Sequence, residues 1–125
     1  MQFLTRKLIK PSELNSNNTL FGGALLRWID EEAAIHAMQT LKSHTVVTKY
    51  MSEINFISSA RQGDIVEIGI EIKSLGRTSI SFRCAVRNTW TQKDIITIEK
   101  IVFVNVNDDE RPHPHGLTLA DVTLA

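Results

Sequence analysis

The succession of hydrophobic patterns along the chain restricts its fold more than any other feature of the sequence. Residues 22–41 carry a helical pattern, in which apolar residues recur at spacings of three and four. A shorter segment with mixed alternation, residues 2–9, precedes this helix. Four longer segments of alternating apolar and polar residues follow it, at residues 45–57, 65–73, 78–90 and 95–106. One helix and five strands predict an α+β domain whose sheet wraps the helix.

Turn-forming residues separate the consecutive strands. They are Gln62-Gly63-Asp64, Ser74-Leu75-Gly76 and Thr91-Gln92-Lys93-Asp94. Short turns join antiparallel neighbours, since parallel strands need a long crossover connection. We therefore expect a largely antiparallel sheet of five to six strands around one long central helix.

The domain organisation follows from the chain length and from the prolines. A chain of 125 residues allows one domain with one hydrophobic core. We expect this domain to cover residues 1–108. The sequence NDDERPHPHG, residues 107–116, is polar and interrupted by prolines. Residues 109–125 are therefore predicted to form a C-terminal tail that is flexible or packs peripherally.

Charge and cysteine content exclude several classes of protein. The 14 Lys and Arg residues balance the 14 Asp and Glu residues, so no net field would hold a nucleic acid. Cys84 is the single cysteine, which excludes an intrachain disulfide. The chain has no apolar run of signal-peptide or membrane-span length. These observations predict a cytoplasmic protein without a nucleic-acid or membrane partner.

Asp30 occupies an unusual position on the predicted helix. A helical wheel places it among apolar and small residues, namely Leu26, Ala33 and Ala37. The opposite face carries Trp28, Glu32 and Gln39. A buried carboxylate without a partner is costly, so this position favours an acid that faces a cavity and takes part in chemistry. The alternative is a structural aspartate that caps a loop or pairs with an arginine.

Two adjacent glycines, Gly22 and Gly23, stand at the start of the predicted helix. Each costs about 0.5–1 kcal/mol in a helix relative to alanine, which suggests that backbone exposure is useful there. Free N–H groups at a helix N-terminus can hold an oxyanion or polarise a carbonyl. The alternative is a tight turn into the helix that needs glycine for steric reasons.

A longer motif surrounds these glycines. It consists of a proline, a Leu-Asn pair, a turn, the run Thr-Leu-Phe-Gly-Gly and an aspartate, at Pro11, Leu14, Asn15, Thr19, Phe21, Gly22, Gly23 and Asp30. With this spacing, residues 6–37 resemble the signature region of hotdog-fold acyl-CoA thioesterases, the bacterial short-chain-type and brain-type acyl-CoA hydrolase group. A weaker resemblance extends to about Asp108 and includes Phe56. The family usually has glycine at Asn18, but asparagine tolerates a positive φ, so we expect the turn to persist.

The resemblance implies a hotdog fold and an acyl-CoA thioesterase whose site is shared by two subunits. Asp30 would act as general base or nucleophile, and Asn15, with Asn17 as the alternative, would orient water or the thioester. The backbone N–H of Gly23 would stabilise the oxyanion. Further substrate contacts are expected from Asn17, Phe21, Gly22 and Phe56. The resemblance also implies a homodimer as the active unit, assembly into a hexamer, and neither a metal nor a cofactor besides the CoA of the substrate.

The phosphates of CoA need positively charged partners. The hairpin residues Arg77, Thr78 and Ser79 are candidates, with Arg83 and Arg87 on one face of the following strand. Guanidinium groups and hydroxyls suit phosphate oxygens. Alternating arginines are also typical of a solvated outer strand face, which is the alternative here.

Other chemically capable side chains are better explained by packing. His36 lies on a flank of the predicted helix, and Cys84 shares a strand face with Ile80, Phe82 and Val86. His113 and His115 are too few for a zinc site. Trp28 and Trp90 are candidates for subunit contacts or for partly covered surface residues.

Two other functions compete with hydrolysis. A non-catalytic acyl-CoA sensor can use the same fold, yet this chain keeps both Asn15 and Asp30 and leaves no room for a fused DNA-binding region. A hotdog hydratase or dehydratase relies on a histidine paired with a carboxylate, and no histidine here follows such a motif.

Overall fold

The long helix α1, Gly22–Leu41, forms where the sequence predicts it. The structure is a computed structural model that describes residues 1–123. Leu, Ala, Glu and Met, which have high helix propensity, dominate this segment. The helix ends at Lys42, whose left-handed backbone (φ 52°) lets its N–H bond to the carbonyl of Met38.

Five strands form one antiparallel sheet around α1, as the sequence predicts. They are β1 (Gln2–Leu8), β2 (Val46–Phe56), β3 (Ile65–Leu75), β4 (Ser79–Asn88) and β5 (Asp94–Asn105). Their order in the sheet is β1-β3-β4-β5-β2, and every neighbouring pair is antiparallel. Strands β1 and β2 therefore lie at the two edges, and a short 3₁₀ turn, Pro11–Glu13, follows β1.

The core lies between the concave face of the sheet and α1. Alternate residues of the three central strands point into it and are almost fully buried, namely Val66, Ile68, Ile70, Ile80, Phe82, Cys84, Val86, Ile96 and Ile98. The rings of Phe82 and Phe103 meet edge to face at a centroid distance of 6.2 Å. Each fully buried Ile or Phe contributes about 1.5–3 kcal/mol to folding through its apolar surface.

The predicted division of α1 into two faces is wrong for Trp28 and Glu32. Both are buried, with 4% and 9% of their surface exposed, although the helical wheel puts them opposite the core. The sheet curls so far around α1 that the buried stripe is centred on Leu25 and Ile29 and covers one whole side of the helix. Asp30 consequently lies at a flank of this stripe and is half-buried.

The two edge strands differ in character. Strand β2 exposes apolar side chains along its length, namely Val47, Tyr50, Ile54 and Phe56, and Ile57 follows directly after it. Strand β1 exposes Leu4 and Leu8 and also carries the basic residues Arg6 and Lys7. The ring of Phe3 in β1 packs over Gly69, where an added Cβ would come within 2.7 Å of that ring.

The C-terminal segment packs back against the end of the sheet. The side chain of Asn105 donates to the carbonyl of His113 at 2.9 Å, and Leu117 packs against the core. A second, short helix, α2 (Leu119–Thr123), follows. The boundary at residue 108 stays a prediction, and the last two residues of the tail, Leu124 and Ala125, lie outside the described residues. Among residues 1–123, no helix is both long and apolar enough to cross a membrane.

Candidate active site

The loop before α1 is organised by the side chain of Asn15. Its Oδ1 accepts hydrogen bonds from the N–H groups of Asn17 (2.9 Å) and Thr19 (3.1 Å), and its Nδ2 donates to Thr19 Oγ1 at 2.9 Å. The loop turns at Asn18 with φ 59°, which confirms that asparagine supports the left-handed turn. An amide has two N–H donors. Asn15 is thus held rigidly, and one N–H remains for a ligand.

A cavity of about 270 Å³ opens between this loop and the start of α1. It is lined by Asn15, Thr19, Leu20, Gly22, Leu25, Phe56, Ile57, Ser58, Ser59, Ala60 and Ile95. At Gly22 an added Cβ would lie 3.3 Å from the ring of Phe56, so glycine lets this ring approach the helix closely. The first N–H groups of α1 have no partner within the helix and point toward its N-terminal end. Three predicted site residues, Asn15, Gly22 and Phe56, therefore meet in one cavity.

Phe21 and Gly23 lie beside this cavity rather than in its wall. The backbone of Phe21 precedes α1 and its ring is exposed. An added Cβ on Gly23 would lie 3.2 Å from that ring, so the two residues lie side by side at the helix start. Asn17 is exposed and contacts the cavity loop through its backbone N–H.

Asp30 has one hydrogen-bond donor that the sequence analysis missed. The hydroxyl of Thr48, in β2, donates to Asp30 Oδ1 at 2.7 Å. The only sequence signal for Thr48 is its inward-facing place in an alternating strand. Asp30 forms no ion pair within residues 1–123, so no arginine among these residues neutralises it. Its second carboxylate oxygen accepts no side-chain hydrogen bond within residues 1–123.

A single chain does not bring Asp30 and Asn15 together. Asp30 is absent from the cavity wall, and it lies two helical turns beyond Gly22, about 12 Å along the helix axis. In β2, Thr48 contacts Asp30 and Phe56 contacts Gly22. These two residues lie eight positions apart, so the strand separates the two contacts as the helix does. Both groups of residues lie along β2, one of the two edge strands of the sheet.

The predicted phosphate-binding arginines are engaged elsewhere. Arg83 forms ion pairs with Glu71 and Glu99 at 3.3 and 3.1 Å. Arg87 pairs with Glu67, and its guanidinium lies 3.7 Å from the ring centroid of Phe3. These contacts correspond to the alternative of a solvated outer strand face.

The hairpin Arg77-Thr78-Ser79 lies at the opposite end of β5 from the cavity. The carbonyl of Thr78 accepts the N–H of Asn105, whereas the cavity lies beside Ile95. The carbonyl of Ser79 contacts Nε2 of His115 at 3.1 Å. Within one chain, these three residues do not join the other predicted site residues.

The remaining reactive side chains have structural roles. Burial raises the pKa of the Cys84 thiol to about 12, and the nearby Glu32 carboxylate adds to this shift. Glu32 itself contacts His36 Nε2 at 3.4 Å, and the His36 ring meets Phe82 edge to face. Within the described part of the chain, no three His, Cys, Asp or Glu side chains cluster as a metal site would require. The packing interpretation of Cys84 is confirmed by its complete burial.

Proteins of similar sequence align with most of the length of this chain. An uncharacterized acyl-CoA thioester hydrolase of Haemophilus influenzae is 33% identical over 72% of this chain and 56% of its own length. The acyl-CoA thioester hydrolase YciA of Salmonella typhimurium is 28% identical over 90% of this chain and 89% of its own length. The chain thus spans little more than half of the Haemophilus protein.

Solved structures have the same fold. An apo-hexameric acyl-CoA thioesterase has 31% identity and a TM-score of 0.77, covering 96% of this chain and 81% of that one. An acyl-CoA hydrolase from Staphylococcus aureus, solved with butyryl coenzyme A, coenzyme A and coenzyme A disulfide, has 26% identity and a TM-score of 0.78, covering 88% of this chain and 66% of that one. The same hydrolase has been solved as an aspartate-to-alanine and as an asparagine-to-alanine variant.

A family model covers the end of the loop, the helix α1 and strands β2, β3 and β4. It is the model of the Thioesterase superfamily, and it matches residues 17–93. With its single helix wrapped by a five-stranded antiparallel sheet, this chain belongs to the thioesterase superfamily of hotdog-fold proteins.

Proposed function

We propose that this protein hydrolyses acyl-CoA thioesters at a site completed by two subunits, with Asp30 as the catalytic carboxylate. One observation carries this proposal. Asp30 is an aspartate without an ion pair among the described residues, held by Thr48 through one oxygen and free at the other. Relatives of this chain are named acyl-CoA thioester hydrolases, and one solved relative binds butyryl coenzyme A, which supports the substrate class.

The open edge of β2 supports a two-fold dimer as the active unit. Contact with a second subunit would bury its exposed apolar side chains. Its outer edge also carries unpaired backbone N–H and C=O groups, which can bond to another strand. Pairing two β2 strands antiparallel about their midpoint, Met51, sets Thr48 opposite Ile54 of the partner subunit. Ile54 is two residues from Phe56, which packs on Gly22 at the cavity. Asp30 of one subunit would therefore approach the cavity and Asn15 of the partner subunit.

In the resulting site, each group has a defined task. The free oxygen of Asp30 accepts a proton from water as the water oxygen bonds to the thioester carbon. The carbonyl oxygen becomes an oxyanion, which the N–H groups at Gly22 and Gly23 stabilise. Collapse of this intermediate breaks the C–S bond, and the CoA thiolate leaves and takes up a proton. A route in which Asp30 attacks the carbon itself and forms an anhydride uses the same contacts.

Asn15 and Thr48 act as positioning residues in this scheme. Asn15 directs its second amide N–H at the water or at the thioester carbonyl, and its own loop holds the amide in place. Thr48 fixes the carboxylate of Asp30 by occupying Oδ1. Neither role needs a metal or a cofactor besides the CoA of the substrate.

We also infer assembly beyond the dimer and a cytoplasmic location. An apo-hexameric relative supports a hexamer of three dimers. A buried free thiol at Cys84 suits a reducing compartment. Light scattering of the purified protein measures the assembly, and a mass below six chains would contradict the hexamer.

The direct test follows thiol release from acyl-CoA esters of increasing chain length. Asp30→Ala should lose about 10²–10⁴-fold in kcat, the usual contribution of a general base. Glu31→Ala is the matched control, since Glu31 is an exposed neighbouring carboxylate paired with Arg27. An active Asp30→Ala variant contradicts the assignment. A wild-type protein that binds acyl-CoA without turnover shows that the chain is a binding module instead.

A mixing experiment tests the shared site. In a heterodimer of Asp30→Ala and Asn15→Ala chains, one site carries both substitutions and the other carries neither. Co-expressed chains with two affinity tags should thus regain about half of the wild-type rate per dimer. A site within one chain predicts no recovery, because every chain is then defective.

A further inference from the structure

A second cavity adjoins the one that contains Asn15. It has a volume of about 330 Å³ and lies between the loop after β2 and the turn that joins β4 to β5. The two cavities share Ser58 and Ser59 as a common wall. A long ligand that starts beside Asn15 can therefore continue over these two residues into the second cavity.

Trp90 forms one side of this second cavity and is 73% exposed. Its position is held by the turn, because the buried Asn88 accepts the N–H of Trp90 through Oδ1 at 2.8 Å. Gln92, with φ 61°, closes the same turn. The exposed indole is therefore presented on a rigid support, which suits a surface for stacking a planar ring.

Two cations face the same cavity. Arg61 and Lys93 line it, and neither forms an ion pair among residues 1–123. The one carboxylate in the wall, Asp64, accepts the backbone N–H of Arg61 at 2.9 Å. The hydroxyl groups of Ser59 and Thr91 add further donors. The cavity therefore offers positive charge and hydroxyl groups to a phosphorylated ligand.

We propose that this second cavity binds the nucleotide end of acyl-CoA, with Trp90 stacked on the adenine and with Arg61 and Lys93 against the phosphates. The inference rests on the proposed function, since the thioester would lie at the first cavity. The pantetheine arm crosses the exposed surface of Ile57, Ser58 and Ser59. This assignment differs from the expectation that placed the phosphates at Arg77, Thr78 and Ser79, which lie at the other end of β5.

Truncated substrates separate nucleotide contacts from contacts with the rest of the ligand. Trp90→Ala and Lys93→Glu should each raise KM for an acyl-CoA by about tenfold, with little change in kcat. Neither should alter KM for the matching acyl-pantetheine, which lacks the nucleotide. Arg111→Glu, a charge reversal at an exposed residue of the C-terminal segment, is the control and should leave both values unchanged.

Three outcomes overturn the inference while leaving hydrolysis intact. A rise in KM with both substrates places Trp90 and Lys93 on the pantetheine arm. A rise with Arg77→Glu but not with Lys93→Glu places the nucleotide at the β3–β4 hairpin. A change in assembly mass with an unchanged KM makes Trp90 a subunit contact. If the wild type hydrolyses neither substrate, the proposed function fails, and the cavity is judged by binding alone.

Binding of CoA itself supplies that independent readout. The chain has two tryptophans, and Trp28 is buried whereas Trp90 is exposed. CoA should quench the fluorescence of the exposed Trp90 in the wild type. Trp90→Phe should abolish this quenching, while the buried Trp28 still emits. Unchanged quenching in Trp90→Phe would show that the adenine lies elsewhere.

Discussion

Replacing Thr48 by valine tests whether the hydrogen bond to Asp30 serves catalysis. Valine keeps the branched shape of threonine and its preference for a strand, and it removes the hydroxyl alone. The bond joins Thr48 Oγ1 to Asp30 Oδ1 at 2.7 Å, a short distance typical of a charged acceptor. The substitution therefore leaves the carboxylate in place without its orienting donor.

The size of the effect follows from the nature of this bond. Hydrogen bonds to charged groups contribute about 1.5–3 kcal/mol, and Thr48 is exposed in the single chain, which favours the lower end. A loss of about 1.4 kcal/mol in the transition state is a tenfold lower rate. We expect kcat/KM to fall about tenfold, while the free energy of unfolding falls by no more than about 1.5 kcal/mol.

The assay is thiol release from one acyl-CoA ester at pH 7, with thermal unfolding measured in parallel. Thr48→Ser restores the hydroxyl and should recover most of the rate. The reasoning is refuted if Thr48→Val matches the wild type, or if Thr48→Ser loses as much activity as Thr48→Val.

Three further predictions concern stability and reactivity. Phe82→Ala should lower the free energy of unfolding by about 3–5 kcal/mol in urea titrations, since Phe82 is fully buried at the centre of the core; a cost below about 1 kcal/mol would contradict its central place. Asn18→Val should cost about 1–2 kcal/mol because of the left-handed backbone at φ 59°, while Asn18→Gly should be nearly neutral. Burial raises the pKa of Cys84 from 9.0 to about 12, so the stability linked to this thiol is present below pH 9 and is lost as the pH rises toward 12. An aromatic disulfide reagent at pH 8 should therefore modify Cys84 only after unfolding, and rapid labelling of the folded protein would argue against this burial.

The architecture could be predicted from the sequence because the spacing of apolar residues distinguishes the helix from the strands. The helix at residues 22–41 and the five strands lie where the patterns place them. The turns at Gly76 and Gln92 join antiparallel neighbours, as expected, whereas the turn at Gly63 joins β2 to β3, which are not neighbours in the sheet. The family resemblance, which depends on the motif from Pro11 to Asp30, is confirmed by the match to the thioesterase superfamily.

The environment of Asp30 could be predicted only in part. A helical wheel ranks faces by hydrophobicity, yet burial depends on how far the sheet curls around the helix. Trp28 and Glu32 are buried for this reason, and Asp30 lies at the flank beside β2. The contact with Thr48 joins residues that are far apart in the chain. A single polar residue in a strand does not indicate which distant residue it will contact.

The role of the arginines on β4 also required the structure. From the sequence, Arg83 and Arg87 could bind phosphate or cover an outer strand face. Cross-strand neighbours decide between these options, because β3 places a glutamate beside each arginine and β5 places a second one beside Arg83. Strand register is not visible in a single sequence, so the choice had to stay open.

The difference between the two sheet edges limits how copies of this chain can assemble through their sheets. Strand β2 presents a run of apolar side chains that a second β2 can cover, whereas β1 exposes Leu4 and Leu8 together with the charged Arg6. Charged side chains on an edge strand disfavour its pairing with another strand, so Arg6 and Lys7 make β1 the less suitable edge for a second copy. In the proposed dimer the two β2 strands cover each other, so both remaining edges of the joined sheet are β1 strands. Further growth of the joined sheet would have to pair two β1 edges, and their charged residues disfavour this route to an open-ended fibre.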